Sequence, residues 1–205
     1  MKIDLHAHTY YSRDSVLSPI DLVRRARDVG LDGIAVTEHH SVEASEPLER
    51  IARETKFPIF RGMEYSTDSG HLLIFGLKND IFGNREKYLP IQEVIDIVNG
   101  QGGVAIPSHP FHTRYRMQLC DKVYELRGIP ALETLNASKP YEENQLAELA
   151  RQKLGLKGTG GSDAHSIPQV GRAYTVFEYP IKNVTELVVA LRTGNYHPER
   201  LPDGI

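Results

Sequence analysis

An α/β domain with a largely parallel sheet, closing into a small or irregular barrel, is the fold class the sequence predicts, and three observations carry it. Strand-like and helix-like segments alternate along the chain. A length of 205 residues suits one sizeable core, and no repeat, low-complexity stretch or linker divides it, so residues 1–205 read as one domain. Histidines and carboxylates follow one proposed strand after another, and the strand ends of an α/β barrel share the face where active sites sit.

Lys2-Ile3-Asp4-Leu5 reads as a short strand, followed by a polar loop through Tyr10, Tyr11, Ser12 and Arg13. Ser18 as cap, Pro19 in the first turn and Asp21 beside it start a helix whose apolar stripe is Leu22, Val23, Ala26 and Val29, stopped by Gly30. Gly33 to Thr37 is a buried strand ending at Glu38-His39-His40, and Val42 to Thr55 a helix. Pro58 to Glu64 and His71 to Leu77 are the third and fourth strands, and a looser stretch runs from Lys78 to Pro90. A helix from Ile91 to Asn99, closed by Gly100, leads to a strand at Val104-Ala105-Ile106 that enters Pro107-Ser108-His109-Pro110. Beyond a polar loop, a helix is expected around Gln118 to Leu126, a strand over Ile129 to Leu135 and a helix over Glu142 to Leu154. Lys157 to Gly160 is a short strand entering Gly161-Ser162-Asp163. Arg172 to Phe177 is the last strand, Val184 to Arg192 the last helix, and the end is a proline-containing tail.

Composition is that of a soluble globular domain, with 40% hydrophobic and 25% charged residues. No apolar run is long enough to span a bilayer, and Met1 leads straight into a strand rather than a signal peptide. Cys120 is the only cysteine, so no intrachain disulfide forms, which fits a cytoplasmic location. A net charge of −3 without a Lys/Arg run argues against a stable nucleic-acid partner, no membrane partner is expected, and the sequence leaves the oligomeric state open. The 9 histidines are the compositional oddity.

His6 and His8 lie two apart at the end of a strand, so they project to the same side. Two such imidazoles suit chelation of one divalent ion. Alone the pair means little, but His39, Glu64, His109, Asp163 and His165 all fall just past other strands, and satisfied core polar groups do not account for so regular a placement. A multinuclear metal site is the expectation.

The motifs Asp4-Leu5-His6-Ala7-His8-Thr9, Asp14, Thr37-Glu38-His39, Gly62-Met63-Glu64, Ser108-His109-Pro110 and Ser162-Asp163-Ala164-His165 occur in that order. In them the chain resembles the polymerase and histidinol phosphatase (PHP) family of metal-dependent phosphoesterases. One departure is mild: Thr37-Glu38-His39-His40 stands where the family usually has Thr-Asp-His followed by Asp or Asn. The resemblance implies a distorted (β/α)7, TIM-like barrel holding two or three divalent ions. His6, His8, Glu64 and Asp163 would hold the first ion. Glu64 would bridge to a second, held also by His109 and completed by His71, while Asp14, His39 and His165 would hold a third. Glu64, Asp163 and His165 are the residues expected to carry the catalysis.

Mixed imidazole and carboxylate shells suit Zn, Mn or Fe better than Mg, which prefers oxygen. Such a cluster acidifies a shared water to hydroxide near neutral pH and neutralises phosphoryl charge. His112, Arg114 and Arg116, past the His109 motif, and Arg13, in the first loop, are the candidate phosphate-binding residues, since guanidinium pairs bidentately with phosphate. Lys139 and Tyr141 are weaker candidates, and His40, His71 and His112 are candidates for a general acid. The expected function is hydrolysis of a phosphate ester of a small metabolite or nucleotide. The rivals are a phosphodiesterase or 3′-5′ exonuclease acting on nucleic-acid ends, and a non-catalytic metal-binding regulatory module.

Overall fold

In the computed structural model, which describes residues 1–41, 45–77, 88–114 and 117–202, the elements follow the expected order with a few changes of kind. They are β1 (Lys2–Asp4), α1 (Pro19–Asp28), β2 (Gly33–His39), α2 (Ser45–Thr55), β3 (Ile59–Thr67), β4 (Gly70–Phe75), α3 (Ile91–Gly100) and β5 (Val104–Ser108). After a 3₁₀ turn at Cys120–Glu125 come β6 (Ala131–Asn136), α4 (Tyr141–Leu154), β7 (Lys157–Gly161), a short 3₁₀ turn at Ile167–Gln169, β8 (Ala173–Phe177), α5 (Val184–Thr193) and β9 (Tyr196–Arg200). Local chemistry sets the ends. Ser18 Oγ accepts the Asp21 amide at 3.1 Å to cap α1, and Asn183 Oδ1 accepts the Glu186 amide at 2.9 Å to cap α5. Gly155 takes the left-handed conformation (φ 65°) that ends α4.

The sheet is mixed, which corrects the expectation of a largely parallel one. Seven strands pair in the order β5-β4-β3-β2-β1-β8-β9, and β6-β7 form a second, parallel pair. β1, β2 and β3 are parallel neighbours, but β4 is antiparallel to both β3 and β5, and β8 is antiparallel to both β1 and β9. For β3 and β4 the reason is connection length: only Asp68 and Ser69 separate them, and so short a link permits only a hairpin, whereas a parallel pair needs a crossover of a dozen or more residues. A parallel bridge between Ala7 and Ala164 joins the ends of the two ladders, and β6 lies against β5. The result is a single α/β body with a curled sheet.

Two further expectations change. The helix expected around Gln118 to Leu126 is the 3₁₀ turn, and the tail is an edge strand. Pro198 fits there because an edge strand tolerates a missing amide, and Tyr196 is buried with its hydroxyl donating to Leu191 O at 2.7 Å. Residues 42–44, the start expected for α2, and most of the 78–90 stretch lie outside the described residues. Among the described residues no helix is long and apolar enough to cross a membrane.

What matters for function is how one face of the sheet changes character from end to end. Side chains alternate along a strand, so Ala35, Thr37 and His39 share a face of β2, and Phe60, Gly62 and Glu64 share a face of β3. The same holds for Val104, Ile106 and Ser108 on β5, and for Phe75, Leu73 and His71 on β4. Ala35, Phe60, Leu73, Phe75, Val104 and Ile106 belong to one buried cluster with Ile3, Leu5, Leu187 and Leu191. Toward the other end the same rows reach His39, Glu64, His71 and Ser108, with β3 running on past Glu64 to Thr67. Because β4 runs antiparallel, His71 at its start pairs with Ser108 at the end of β5, so a histidine that opens a strand reaches the end where the others finish.

Gly62 explains its place in the Gly62-Met63-Glu64 motif. A Cβ there would meet Phe75 ring carbons at 2.5 and 2.7 Å and Ile74 O at 3.0 Å. Overpacking of this kind costs about 1–3 kcal/mol, so Gly62→Ala should lower unfolding free energy by about that much in urea titration. Wild-type stability in that variant would show that Phe75 yields freely and does not set the spacing of β3 and β4.

Candidate metal centre

The side chains converge on one carboxylate, Glu64, at the inner end of its row on β3 and 2% exposed. Its Oε1 lies 2.9 Å from His109 Nε2, 3.1 Å from His71 Nδ1 and 3.0 Å from Ser108 Oγ, which donates to it. Its Oε2 lies 3.4 Å from His6 Nε2, 3.5 Å from His8 Nε2 and 3.3 Å from His39 Nδ1. The two oxygens thus face different histidines. Burial raises the Glu64 pKa, but His6, His71 and His109 outweigh it and hold the carboxyl well below the usual range.

Asp163 divides its oxygens in the same way. Oδ1 sits 3.5 Å from His6 Nε2, 3.6 Å from His8 Nε2 and 3.7 Å from His165 Nδ1, while Oδ2 is held by Lys139 Nζ at 2.7 Å and Asn136 Nδ2 at 3.2 Å. Here too burial works upward and is overcome, by His6, His8 and Lys139, so Asp163 is held well below the usual carboxylate range. The imidazoles differ. Burial drives His8 down to about 4 against the pull of Asp163 and Glu64, with His6 and His39 adding to the fall. His6 is raised well above its ordinary value because Asp163, Glu133 and Glu64 prevail over burial.

Asp14 and His165 complete the outer part. His39 Nε2 lies 3.0 Å and His165 Nε2 3.4 Å from Asp14 Oδ2, and both rings flank His8, with centroids 4.4 and 4.5 Å away. Asp14 is the exposed member, on the loop after β1. Among the described residues, three groups have their donor atoms within 4.8 Å of one another: His6, His8 and Asp163; His6, Glu64 and His109; His8, His39 and His165. Imidazole nitrogen alternating with carboxylate oxygen is a donor set that fits divalent transition metals. All the sequence-predicted ligands, His6, His8, Asp14, His39, Glu64, His71, His109, Asp163 and His165, therefore lie in one continuous cluster.

The candidate phosphate-binding residues are less gathered. Arg13 and Arg114 are exposed, and Arg116 lies outside the described residues. His112 is buried, with its Nδ1 2.8 Å from Glu143 Oε2 on α4 and its ring edge-on to His109 at 5.7 Å.

Several residues outside the predicted ligand set support the cluster. Asp4 is fully buried, and its carboxylate accepts the backbone amides of His6 (3.1 Å), Ser162 (2.9 Å) and Gly171 (3.1 Å), tying β1 to the segment after β7. Burial outweighs those bonds and pushes its pKa up to about 6. Glu133 accepts from the backbone of His109 and faces His6, and a charged residue inside the apolar strand Ala131-Leu132-Glu133 was the sequence signal for it. Glu38, where the family usually has Asp, accepts from Thr9 N and Oγ1 at 3.1 and 2.5 Å and from Ser12 Oγ. Ser12 Oγ in turn accepts the His39 amide at 3.1 Å, so the longer carboxylate pins the loop that carries Asp14.

The class that the fold and site define is an α/β protein with a curled sheet and, at one end of it, a histidine-carboxylate cluster that could hold divalent metal. A family model described as PHP-associated matches residues 141–196. The uncharacterised protein MJ0417 of Methanocaldococcus jannaschii is 30% identical over 183 residues, covering 86% of this chain and 70% of that protein. A PolC-type DNA polymerase III of Thermotoga maritima is 27% identical over 157 residues, 69% of this chain and 11% of the polymerase. Two solved structures share the fold. A Bifidobacterium adolescentis protein assigned as a metal-dependent phosphoesterase superposes with a TM-score of 0.66 at 18% identity, covering 93% of this chain and 96% of that one. An amidohydrolase from Chromobacterium violaceum, with bound sulfate and no metal, superposes at 0.68 and 16% identity, with 99% of each chain covered. The chain belongs to the PHP family.

The geometry makes Glu38 testable. Glu38→Asp restores the family's usual residue, but a side chain shorter by one methylene cannot keep both Thr9 and Ser12 at hydrogen-bonding distance. Loss of a buried charge-assisted bond costs about 1.5–3 kcal/mol, and a fall of that size in unfolding free energy is the expected result. No change in urea titration would mean that the loop holds its shape without Glu38.

Proposed function

We propose that this protein is a metal-dependent phosphoesterase that hydrolyses a phosphate ester of a small metabolite or nucleotide, with the cluster on a distorted (β/α)7 barrel. The observation that carries the reading is the division of Glu64: one oxygen faces His71 and His109, the other His6, His8 and His39. A carboxylate so placed is suited to bridge two cations. His6, His8, Glu64 and Asp163 would hold one ion, Glu64, His71 and His109 a second, and Asp14, His39 and His165 a third, as Zn, Mn or Fe. When bound, such ions supply Lewis-acid stabilisation of phosphoryl charge and acidify water.

The chain's own residues then have distinct tasks. Glu64 and Asp163, held anionic within the cluster, fix the spacing of the imidazoles around them. Asp14 and His165, on the more open side, face the solvent from which a substrate would enter. Arg114 and Arg13, exposed beside the motifs, and Arg116 are the residues proposed to pair with phosphate oxygens. His112, oriented by Glu143, is a further contact at the rim. The similarity to PolC-type polymerases favours one second reading, hydrolysis of phosphodiesters at nucleic-acid ends. The net charge of −3 weighs against a large nucleic-acid surface.

Elemental analysis of protein reconstituted with Mn or Zn should give two to three equivalents, and a screen over phosphorylated metabolites and short oligonucleotides should show turnover of a phosphomonoester. At most one equivalent of metal would remove the multinuclear reading, and cleavage confined to oligonucleotides would replace the monoesterase with the nuclease. Glu64→Gln should fold, lose the ion shared with His71 and His109, and fall roughly 10²-fold or more in rate. Arg114→Ala or Arg116→Ala should cost roughly tenfold to a hundredfold in kcat/KM, equivalent to about 1.5–3 kcal/mol, with metal content unchanged. Wild-type kinetics in both arginine variants would move the phosphate contact elsewhere, to Arg13 or Lys139.

A further inference from the structure

β6 supplies none of the residues that would ligate metal, yet its far end lies against three that would. Glu133, 1% exposed, places Oε1 2.9 Å from His6 Nδ1, while its Oε2 accepts the His109 backbone amide at 2.8 Å and Asn136 Nδ2 at 3.0 Å. The same Asn136 amide group donates to Asp163 Oδ2 at 3.2 Å, and Lys139 Nζ reaches that oxygen at 2.7 Å. Glu133 and Asn136 would point to opposite faces of a regular strand. They share one here because the register with β7 shifts between Glu133 and Leu135. The packing leaves no slack: a Cβ on Gly161 would meet His6 Cβ at 2.4 Å and Glu133 Oε1 at 3.0 Å.

We infer that Glu133, with Asn136 and Lys139, is a positioning bracket that sets three ligands from three other segments, His6, His109 and Asp163, before any ion binds. Each contact has a defined consequence. With Glu133 on Nδ1, the His6 ring keeps its proton there and turns Nε2 toward His8, Glu64 and Asp163, at 3.1, 3.4 and 3.5 Å. His109 takes a left-handed backbone conformation (φ 30°) that a non-glycine residue holds only when its surroundings over-determine it, and the bond from its amide to Glu133 is part of that restraint. Asp163 is also left-handed (φ 53°), and Asn136 and Lys139 occupy the oxygen that faces away from the histidines, leaving Oδ1 for the cluster.

This inference rests on the metal reading above, and its test separates the two. Glu133→Gln keeps size and shape but replaces one oxygen with an amide nitrogen. Either His6 loses its acceptor or the His109 and Asn136 donors meet another donor. Competition titration with a chromophoric zinc chelator should show zinc bound roughly tenfold to a hundredfold more weakly than by wild type. Lys139→Met, which leaves Glu133 intact, should weaken zinc less. Long-range ¹H–¹⁵N spectra of zinc-loaded wild type should show His6 protonated at Nδ1 and metal-ligated at Nε2, a signature that a merely structural Glu133 would not require. If wild type binds zinc and Glu133→Gln binds it within twofold of wild type, the bracket is overturned and the metal centre stands. If wild type binds no zinc or manganese, the metal reading falls and the bracket with it. Should Glu133→Gln not fold, the wild-type spectrum decides: His6 ligated through Nδ1 overturns the inference.

Discussion

Everything at this end of the molecule depends on keeping one buried carboxylate, Glu64, in the midst of five imidazoles. Burying an ionised carboxylate is costly unless hydrogen bonds and opposite charge compensate for it. Here the compensation comes from residues on β3's neighbours and beyond: His39 from β2, His71 from β4, Ser108 and His109 from the end of β5, and His6 and His8 from the end of β1. The arrangement exists only if these segments end at one level. Parallel pairing of β1, β2 and β3 brings their ends together, and the reversed β4 presents its beginning there instead. Phe60, Phe75 and Ile106, packed beneath the polar layer, keep water from the other side.

The turns that carry His109 and Asp163 are held against their own preferences. His109 and Asp163 both adopt positive φ, a conformation costing of order 1–3 kcal/mol for a residue with a side chain. The Asp163 amide is fixed by His6 O at 2.7 Å and the His109 amide by Glu133. Asp4, deeper down, accepts three backbone amides and so joins the first motif of the chain to the last. Chain ends remote in sequence are thereby locked in one place, which is what a site assembled from many short turns requires.

The departure at Glu38 gives this motif position a longer carboxylate with partners of its own. Its side chain does not enter the histidine cluster but turns toward Thr9 and Ser12, and through Ser12 it reaches the His39 amide. The cost is a buried carboxyl whose pKa burial raises despite those donors. Its neighbour His40 also sits at positive φ, with its ring edge-on to Tyr65 at 5.0 Å, so the turn after β2 leads away from the histidine-carboxylate cluster into an aromatic contact.

How much of this was legible in the chain follows from what each feature depends on. His6, His8, Glu64, His109, Asp163 and His165 could be singled out as candidate ligands because imidazole and carboxylate are the side chains that hold transition metals, and because each lies in or just past a segment legible as a strand, apolar for most and glycine-rich before Asp163. Helix ends at Ser18, Asn183 and Gly155 are equally local, set by a cap or a left-handed glycine. Pairing direction is not local: nothing in the composition of β4 or β8 says that it runs antiparallel, and the proline in β9 hid a strand that only an edge position permits. Glu133 stood out only as a charge in an apolar strand, and nothing local paired it and Asn136 with the cluster, because a shift of register against β7 puts them on one face, and register is decided between strands rather than within one. The sequence by itself therefore determined which atoms are available to bind metal. Only the tertiary structure decided which of them meet and how they are held, since that rests on strand direction, register and buried charge compensation.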